Sequence, residues 1–413
     1  METDLAGPML YGAYQAQVDM MAPAKAFAKF LVGAIELLPS SLRDDPVVRW
    51  FSANNEMLAR SGLTHSRPPF GIDVVRVDGR PVAVHEEAVE TTPFGTLLHF
   101  AKDTDEVQPK VLVVSALAGH FATLLGSTVR ALSEHHDVSI TDWHNARDVP
   151  LTAGTFGFDD YVAHIIAFLQ RMGPGTHVVA VCQPCPAVLA AVALMAEAGD
   201  PATPRSLTLM AGPVDTRISP TAVNELAHQQ PLSWFEQNVI TTVPARYEGA
   251  GRRVYPGFLQ LGAFVAMNWQ KHLDRHLELF HDVVAGNKVK ADATKDFYDE
   301  YCAVLDLHAD FYLQTVDRVF QQHLLPRGLL EVGGRTVHLE AIRRTGLLTV
   351  EGDRDDICGM GQTMAAQDLC VQIPHSRRRH HLQPGVGHYG VFSGSAWERQ
   401  ICPVVRNFIL TNS

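Results

Sequence analysis

From residue 110 the chain alternates continuous apolar runs with longer helical patterns. Residues 111–117 form one such run, as expected of a strand covered on both faces in a parallel sheet. A helix over 121–133 follows, then a strand over 137–142. Next come a helix over 159–172, with Asp159 and Asp160 in its first turn, a strand over 176–181 and a strand over 207–211. This rhythm predicts the α/β class, with a doubly wound, mostly parallel sheet. It stops between about 216 and 335 and returns at 346–351, followed by a short strand at 380–382 and a closing helix over 395–410. The interruption reads as helical and is rich in aromatics, among them Trp234, Phe264, Trp269, Tyr298 and Tyr312. It predicts a cap inserted between strands of the sheet, with most of its rings forming the cap's own core.

Ahead of the rhythm, residues 8–38 carry Tyr14, Val18, Met21, Phe27, Phe30 and Leu31 at helical spacing. One or two amphipathic helices broken near Pro23 are expected, either buried against the core or a twin subunit, or laid on an apolar surface. A helix around 47–61, a hairpin of 72–77 with 82–88 turning through Asp78-Gly79, and a strand near 96–101 complete this part. The predicted organisation is an extension and hairpin over 1–104, a core of 105–215 plus 336–413, and a cap over 216–335.

The stretch V-V-A-V-C-Q-P-C-P joins the strand ending at Val181 to an Ala/Leu/Val-rich helix running to about Glu197. Proline suits a first helical turn, where no amide hydrogen is needed. Cys182 therefore stands on a sharp strand-to-helix corner, where the helix dipole and free amides favour a thiolate. A nucleophile elbow has this geometry, although its usual flanking glycines are here Ala180 and Pro184. Cys185 is the rival, but the residue after it is Pro186, which offers no N–H to an oxyanion; Gln183 after Cys182 does. A redox or zinc C-x-x-C, or two inert core cysteines, are the competing readings.

Composition narrows the classes. Of 413 residues, 46% are hydrophobic and the formal net charge is −11, so the chain reads as globular and lacks the basic balance that nucleic-acid binding wants. Six cysteines without a regular framework predict a reducing compartment, hence the cytoplasm. METDLAGPML lacks a basic region before its apolar residues and does not read as a secretory signal. No apolar run is long enough to span a membrane.

The order nucleophile, acid, histidine then selects the α/β-hydrolase fold. Cys182 is followed by Asp353, Asp355 or Asp356 straight after a buried strand, and by His388 in a Gly-rich loop after the last one. In such sheets ligands bind at the strands' carboxyl edge. His388 would take the thiol proton, the acid would hold the imidazole, and the thiolate would attack a carbonyl to form an acyl-enzyme. Oxyanion donors are expected from the Gln183 amide and from Ala118 or Gly119, with His120 a candidate side-chain donor.

The blocks A-G-H-F-A-T-L-L (118–125), D-W-H-N-A-R-D-V-P (142–150), V-C-Q-P (181–184), Y-P-G-F-L-Q (255–260), F-Y-D-E-Y (297–301), V-E-G-D-R-D-D-I (350–357) and G-H-Y-G (387–390) resemble the intracellular polyhydroxybutyrate depolymerases. That family uses Cys for Ser in a degenerate lipase box. The resemblance implies Cys182 as nucleophile, Asp355 as acid and His388 as base. It also implies hydrolysis of stored poly(3-hydroxybutyrate), a granule-associated place in the cytoplasm, no bound cofactor, and coenzyme A as a candidate acyl acceptor. A homo-oligomer is a candidate assembly. The chain is also similar to polyester synthases, which share the triad but keep the box glycines, so a synthase or other acyltransferase is one alternative. A non-catalytic granule-surface protein is the other. Arg377-Arg378-Arg379 reads as a solvated loop or as a phosphate contact for coenzyme A.

Overall fold

The side chains of the central strands alternate between two faces, and both faces are covered. In β4 (Lys110–Val114), Leu112 and Val114 join one apolar cluster while Val111 and Val113 join another. In β6 (His177–Val181), Val178 and Ala180 likewise oppose Val179 and Val181. A strand buried on both sides needs a layer of helix on each. Helices Phe158–Met172 and Cys185–Glu197 supply one layer, and Gly126–Ser133 with Cys402–Leu410 the other.

The computed structural model describes residues 6–267 and 269–413. The first five residues of METDLAGPML lie outside that range. The remaining strands of the main sheet are β1 (Val74–Val77), β2 (Arg80–Thr91), β3 (Gly95–Lys102), β5 (Asp137–Trp143), β7 (Ser206–Met210), β8 (Gly346–Gly352) and β9 (Arg378–Gln383). The sheet runs β1-β2-β3-β5-β4-β6-β7-β8-β9. The first three strands pair antiparallel, and β5 through β9 are mutually parallel. This is the expected mostly parallel α/β-hydrolase sheet. From β4 the chain passes to β5 on one side and then to β6 on the other, so a crevice opens beyond the carboxyl ends of β4 and β6.

Three expectations change. The run 111–117 leaves the sheet after Val114, because Ser115 turns its N–H and hydroxyl onto Thr141 of β5. The region 8–38 is one helix, Ala6–Glu36, with Pro23 inside it. Pro23 removes the hydrogen bond to the carbonyl of Asp19, an exposed residue, so water can satisfy the freed group. The cap is only partly helical. Thr241–Thr242, Arg253–Tyr255 and Leu307–His308 form a small antiparallel sheet, and residues 303–342 contribute Ala303, Leu305, Phe311, Leu330 and Ile342 to the main core.

The N-terminal helix divides along its length. Tyr11 is fully buried and donates to Asp306 at 2.6 Å, and Tyr14 stacks on Phe258. Further on, Phe27 and Phe30 are 62% and 69% exposed.

Candidate active site

Cys182 occupies the corner between β6 and helix Cys185–Glu197 with φ +69°. A non-glycine residue held there costs about 1–3 kcal/mol and persists only when its surroundings insist on it. The surroundings here are close. The Cys182 amide donates to the Met210 carbonyl at 2.8 Å. A Cβ on Gly212 would stand 2.1 Å from the Cys185 sulfur and 2.9 Å from the Cys182 carbonyl oxygen. Gly212 thus supplies the close approach that flanking glycines usually provide. The sequence reading missed it, because its only signal was a glycine just after the neighbouring strand.

His388 lies at the start of the turn His388–Val391 after β9, with Nε2 3.2 Å from Cys182 Sγ. Its Nδ1 is 2.8 Å from Asp355 Oδ2. Asp355 Oδ1 accepts the amides of Ile357 and Cys358 at 2.9 and 2.8 Å. The thiol, imidazole and carboxylate therefore form one chain of contacts with the imidazole fixed at both nitrogens. Burial alone would pull the imidazolium down, but the charges of Cys182 and Asp355, with hydrogen bonds to both, outweigh it and hold His388 well above the ordinary imidazole range.

The rival residues fall elsewhere. Cys185 is fully buried, which pushes its thiol far above the usual range and keeps it neutral. Both cysteines are free thiols. Asp353 Oδ1 accepts the amides of Gly385 and Val386, pinning the loop that carries His388. Asp356 is exposed at the site's mouth.

The loop after β4 forms the facing wall. Ala118 lines the cavity beside Cys182. Gly119, at φ +90°, gives its carbonyl to the Leu305 amide of the cap. Gln183 accepts the Leu117 amide with Oε1 at 3.3 Å, and Gln260 donates to the Ala118 carbonyl at 2.5 Å, so two glutamines hold the loop from opposite sides. His120 differs from expectation. Burial holds it down to about 4, and its Nε2 meets the Tyr301 carbonyl at 3.2 Å. A neutral ring that spends its one N–H there offers the cavity an acceptor rather than an oxyanion donor.

Two cavities meet at His388. One, about 60 Å³, is lined by Cys182, Ala118, Phe121, Leu124, Leu125 and Phe392 and is almost wholly apolar. The other, about 510 Å³, opens on the far side of His388 beneath the cap rings Phe297, Tyr298 and Tyr301. The run Arg377-Arg378-Arg379 stands at the amino end of β9, the opposite edge of the parallel sheet from Cys182. Arg378 there donates to the Gln367 carbonyl. Arg377 and Arg379 are exposed, as a solvated run predicts, but Arg378 and Arg379 open β9 instead of lying in the loop before it.

Residues 211–413 match the family model described as PHB de-polymerase C-terminus. The match covers 203 of the 413 residues. The protein is a carboxylic ester hydrolase. No curated protein matches the chain. Among solved structures, a putative lipase from Acinetobacter baumannii is 13% identical, with 80% of this chain and 93% of that one covered and a TM-score of 0.44. The thioesterase domain from the curacin biosynthetic pathway is also 13% identical, over 79% and 99%, with a TM-score of 0.42. A monoacylglycerol lipase of Paleococcus ferrophilus is 9% identical, over 74% and 95%, with a TM-score of 0.42.

Proposed function

We propose that this hydrolase cleaves stored poly(3-hydroxybutyrate) through a Cys182–His388–Asp355 triad and an acyl-enzyme. The observation that carries the reading is the continuous contact from Cys182 Sγ through His388 to Asp355 at a left-handed strand-to-helix corner. The family match over 211–413 supports the substrate class.

His388 takes the Cys182 proton, giving a thiolate and an imidazolium. The thiolate attacks the ester carbonyl. The oxyanion is met by the Gln183 amide, at the turn that leads into the helix, and by the amide of Ala118 or Gly119. The carbon–oxygen bond breaks, and the departing alkoxide receives the imidazolium proton. In the acyl-enzyme the sulfur no longer carries charge, so one of the two influences that raise His388 is gone. The ring can then act as base for the incoming water, which releases the acid and restores the thiol. Asp355 holds the imidazole tautomer throughout. The small apolar cavity suits the methyl branch of a four-carbon unit. The thiol of coenzyme A is a candidate acceptor in place of water.

The protein acts in the cytoplasm at the granule surface. Among the described residues no helix is long and apolar enough to cross a membrane. Adsorption instead uses exposed apolar side chains, with Phe27 and Phe30 on the first helix and Trp50, 54% exposed, on helix Pro46–Arg60 packed against it. The deciding experiment measures 3-hydroxybutyrate released from amorphous granules by the wild type and by Cys182→Ala, with and without coenzyme A. Release of free acid that disappears in the variant supports the reading. Release only with coenzyme A makes the enzyme thiolytic. Polymer growth from an acyl-coenzyme A with no release makes it a synthase, and binding without turnover makes it a granule-surface protein.

A further inference from the structure

The wider cavity beside His388 carries a charge pattern that the cleavage of a neutral polyester does not require. Its lining includes Lys271, Arg275 and Arg354, with Asp356 as its one carboxylate. The first two lie on helix Trp269–Ala285 of the cap, and Arg354 follows β8 directly before Asp355. All three cations are exposed, and none takes part in an ion pair among the described residues. The chain as a whole carries a formal charge of −11, so a cationic mouth is not its background.

Position gives the pattern a meaning. Cys182 lines the small apolar cavity and not the wider one, whereas His388 lines both. A substrate with its carbonyl carbon at the sulfur and its leaving oxygen at His388 Nε2 sends the acyl part toward the apolar cavity. The alcohol part extends toward the cations. In a chain of hydroxy acids the alcohol part of any ester lies on the side of the free carboxyl end. A polyester interior carries no charge, and that end carries one.

We propose that Lys271, Arg275 and Arg354 form a carboxylate-binding site on the leaving-group side. The site directs cleavage to esters near the free acid end of hydroxyalkanoate oligomers. Long-range attraction draws the carboxylate to the mouth, and Arg275 and Arg354 can each offer it a forked pair of N–H donors. The bond changes remain those of ester hydrolysis: the carbon–oxygen bond breaks, the alcohol takes its proton from His388, and water supplies the hydroxyl of the acid. Products on this side are short hydroxy acids. The inference rests on the proposed triad and its orientation of the ester.

The test compares 3-hydroxybutyrate trimer as the free acid with the same trimer capped as a methyl ester. At low ionic strength the wild type should favour the free acid by roughly tenfold in kcat/KM, mainly through KM, since a few exposed charge pairs contribute about that much. The preference should shrink as salt rises toward 1 M. It should fall to about one in Lys271→Ala/Arg275→Ala/Arg354→Ala and survive in Lys271→Arg/Arg275→Lys, which keeps the charges and shows that the helix tolerates change. Equal use of both trimers by the wild type overturns the inference and leaves the triad standing. A triple variant that keeps the preference also overturns it. Loss of coenzyme A-dependent acyl release, with the trimer preference intact, assigns the cations to the acceptor's phosphates and overturns it as well. Cleavage of neither trimer nor granules sinks the proposed function itself.

Discussion

Cys182 combines two roles that substitutions can separate. As nucleophile its removal should abolish granule hydrolysis, so Cys182→Ala should leave no measurable turnover, while Cys185→Ala, which alters only a buried neutral thiol, should keep most of it. As a strained corner residue at φ +69°, it should prefer glycine. Cys182→Gly should therefore be more stable than Cys182→Ala by about 1 kcal/mol in urea unfolding; equal midpoints would argue against strain at the corner. Asp355→Asn loses the acceptor that orients His388 and should lower kcat by roughly 10²–10⁴-fold. Asp353→Asn and Asp356→Asn should do far less, and a larger loss at Asp356 would move the acid by one residue. The raised His388 also sets a pH expectation. The imidazolium must be present to protonate the leaving alcohol, so kcat/KM should hold above the ordinary imidazole range and fall only at more alkaline pH. A basic limb centred near 6.5 would contradict the ion pair.

The first helix is where element and environment interact most. Its Tyr11 hydroxyl donates to Asp306, whose carboxyl burial pushes up to about 6 despite that bond and the Gly257 amide. A carboxyl raised in the folded state favours folding when protonated. That contribution is complete below the unfolded pKa near 4 and is lost as pH rises through about 6. Above pH 6 the buried charge depends on its donors. Tyr11→Phe should then cost about 1.5–3 kcal/mol at pH 8 and clearly less at pH 4.5, read from melting temperatures across that range. The other half of the helix behaves differently. Phe27→Ser/Phe30→Ser should leave the melting temperature unchanged and weaken granule co-sedimentation by roughly tenfold, because large apolar side chains would lose their contact with the polymer. Deleting residues 1–38 removes Tyr11 as well and should give insoluble protein, which is why point substitutions separate the roles better than truncation.

Over the whole molecule, adsorption and cleavage should answer differently to salt. Contact with a neutral polyester through Phe27, Phe30 and Trp50 is apolar, so granule binding should change little between low and high ionic strength. Oligomer cleavage at the cationic mouth should weaken with salt. Co-sedimentation that collapses in salt would show that charge, not apolar contact, holds the enzyme to its substrate.

The strand–helix rhythm, the corner at Cys182 and the order of Cys182, an acid after β8 and His388 were legible in the chain because each depends on local pattern. Apolar runs mark strands buried on both faces, proline marks a helix start, and a loop after each strand places its residues at one edge of the sheet. What depended on distant partners was not legible. Asp353, Asp355 and Asp356 are alike in sequence, and only packing turns Asp355 toward His388 while Asp353 pins the loop at Gly385. Pro23 marked a break that solvent at Asp19 makes unnecessary. His120 read as a donor until its N–H met a carbonyl 181 residues away. Gly212, Gln183 and Gln260 gained their roles only when β7, the loop after β4 and the cap closed around the elbow. Local periodicity determines which elements form and in what order. The site needs atoms brought within about 3 Å across hundreds of residues, and no local pattern encodes that distance.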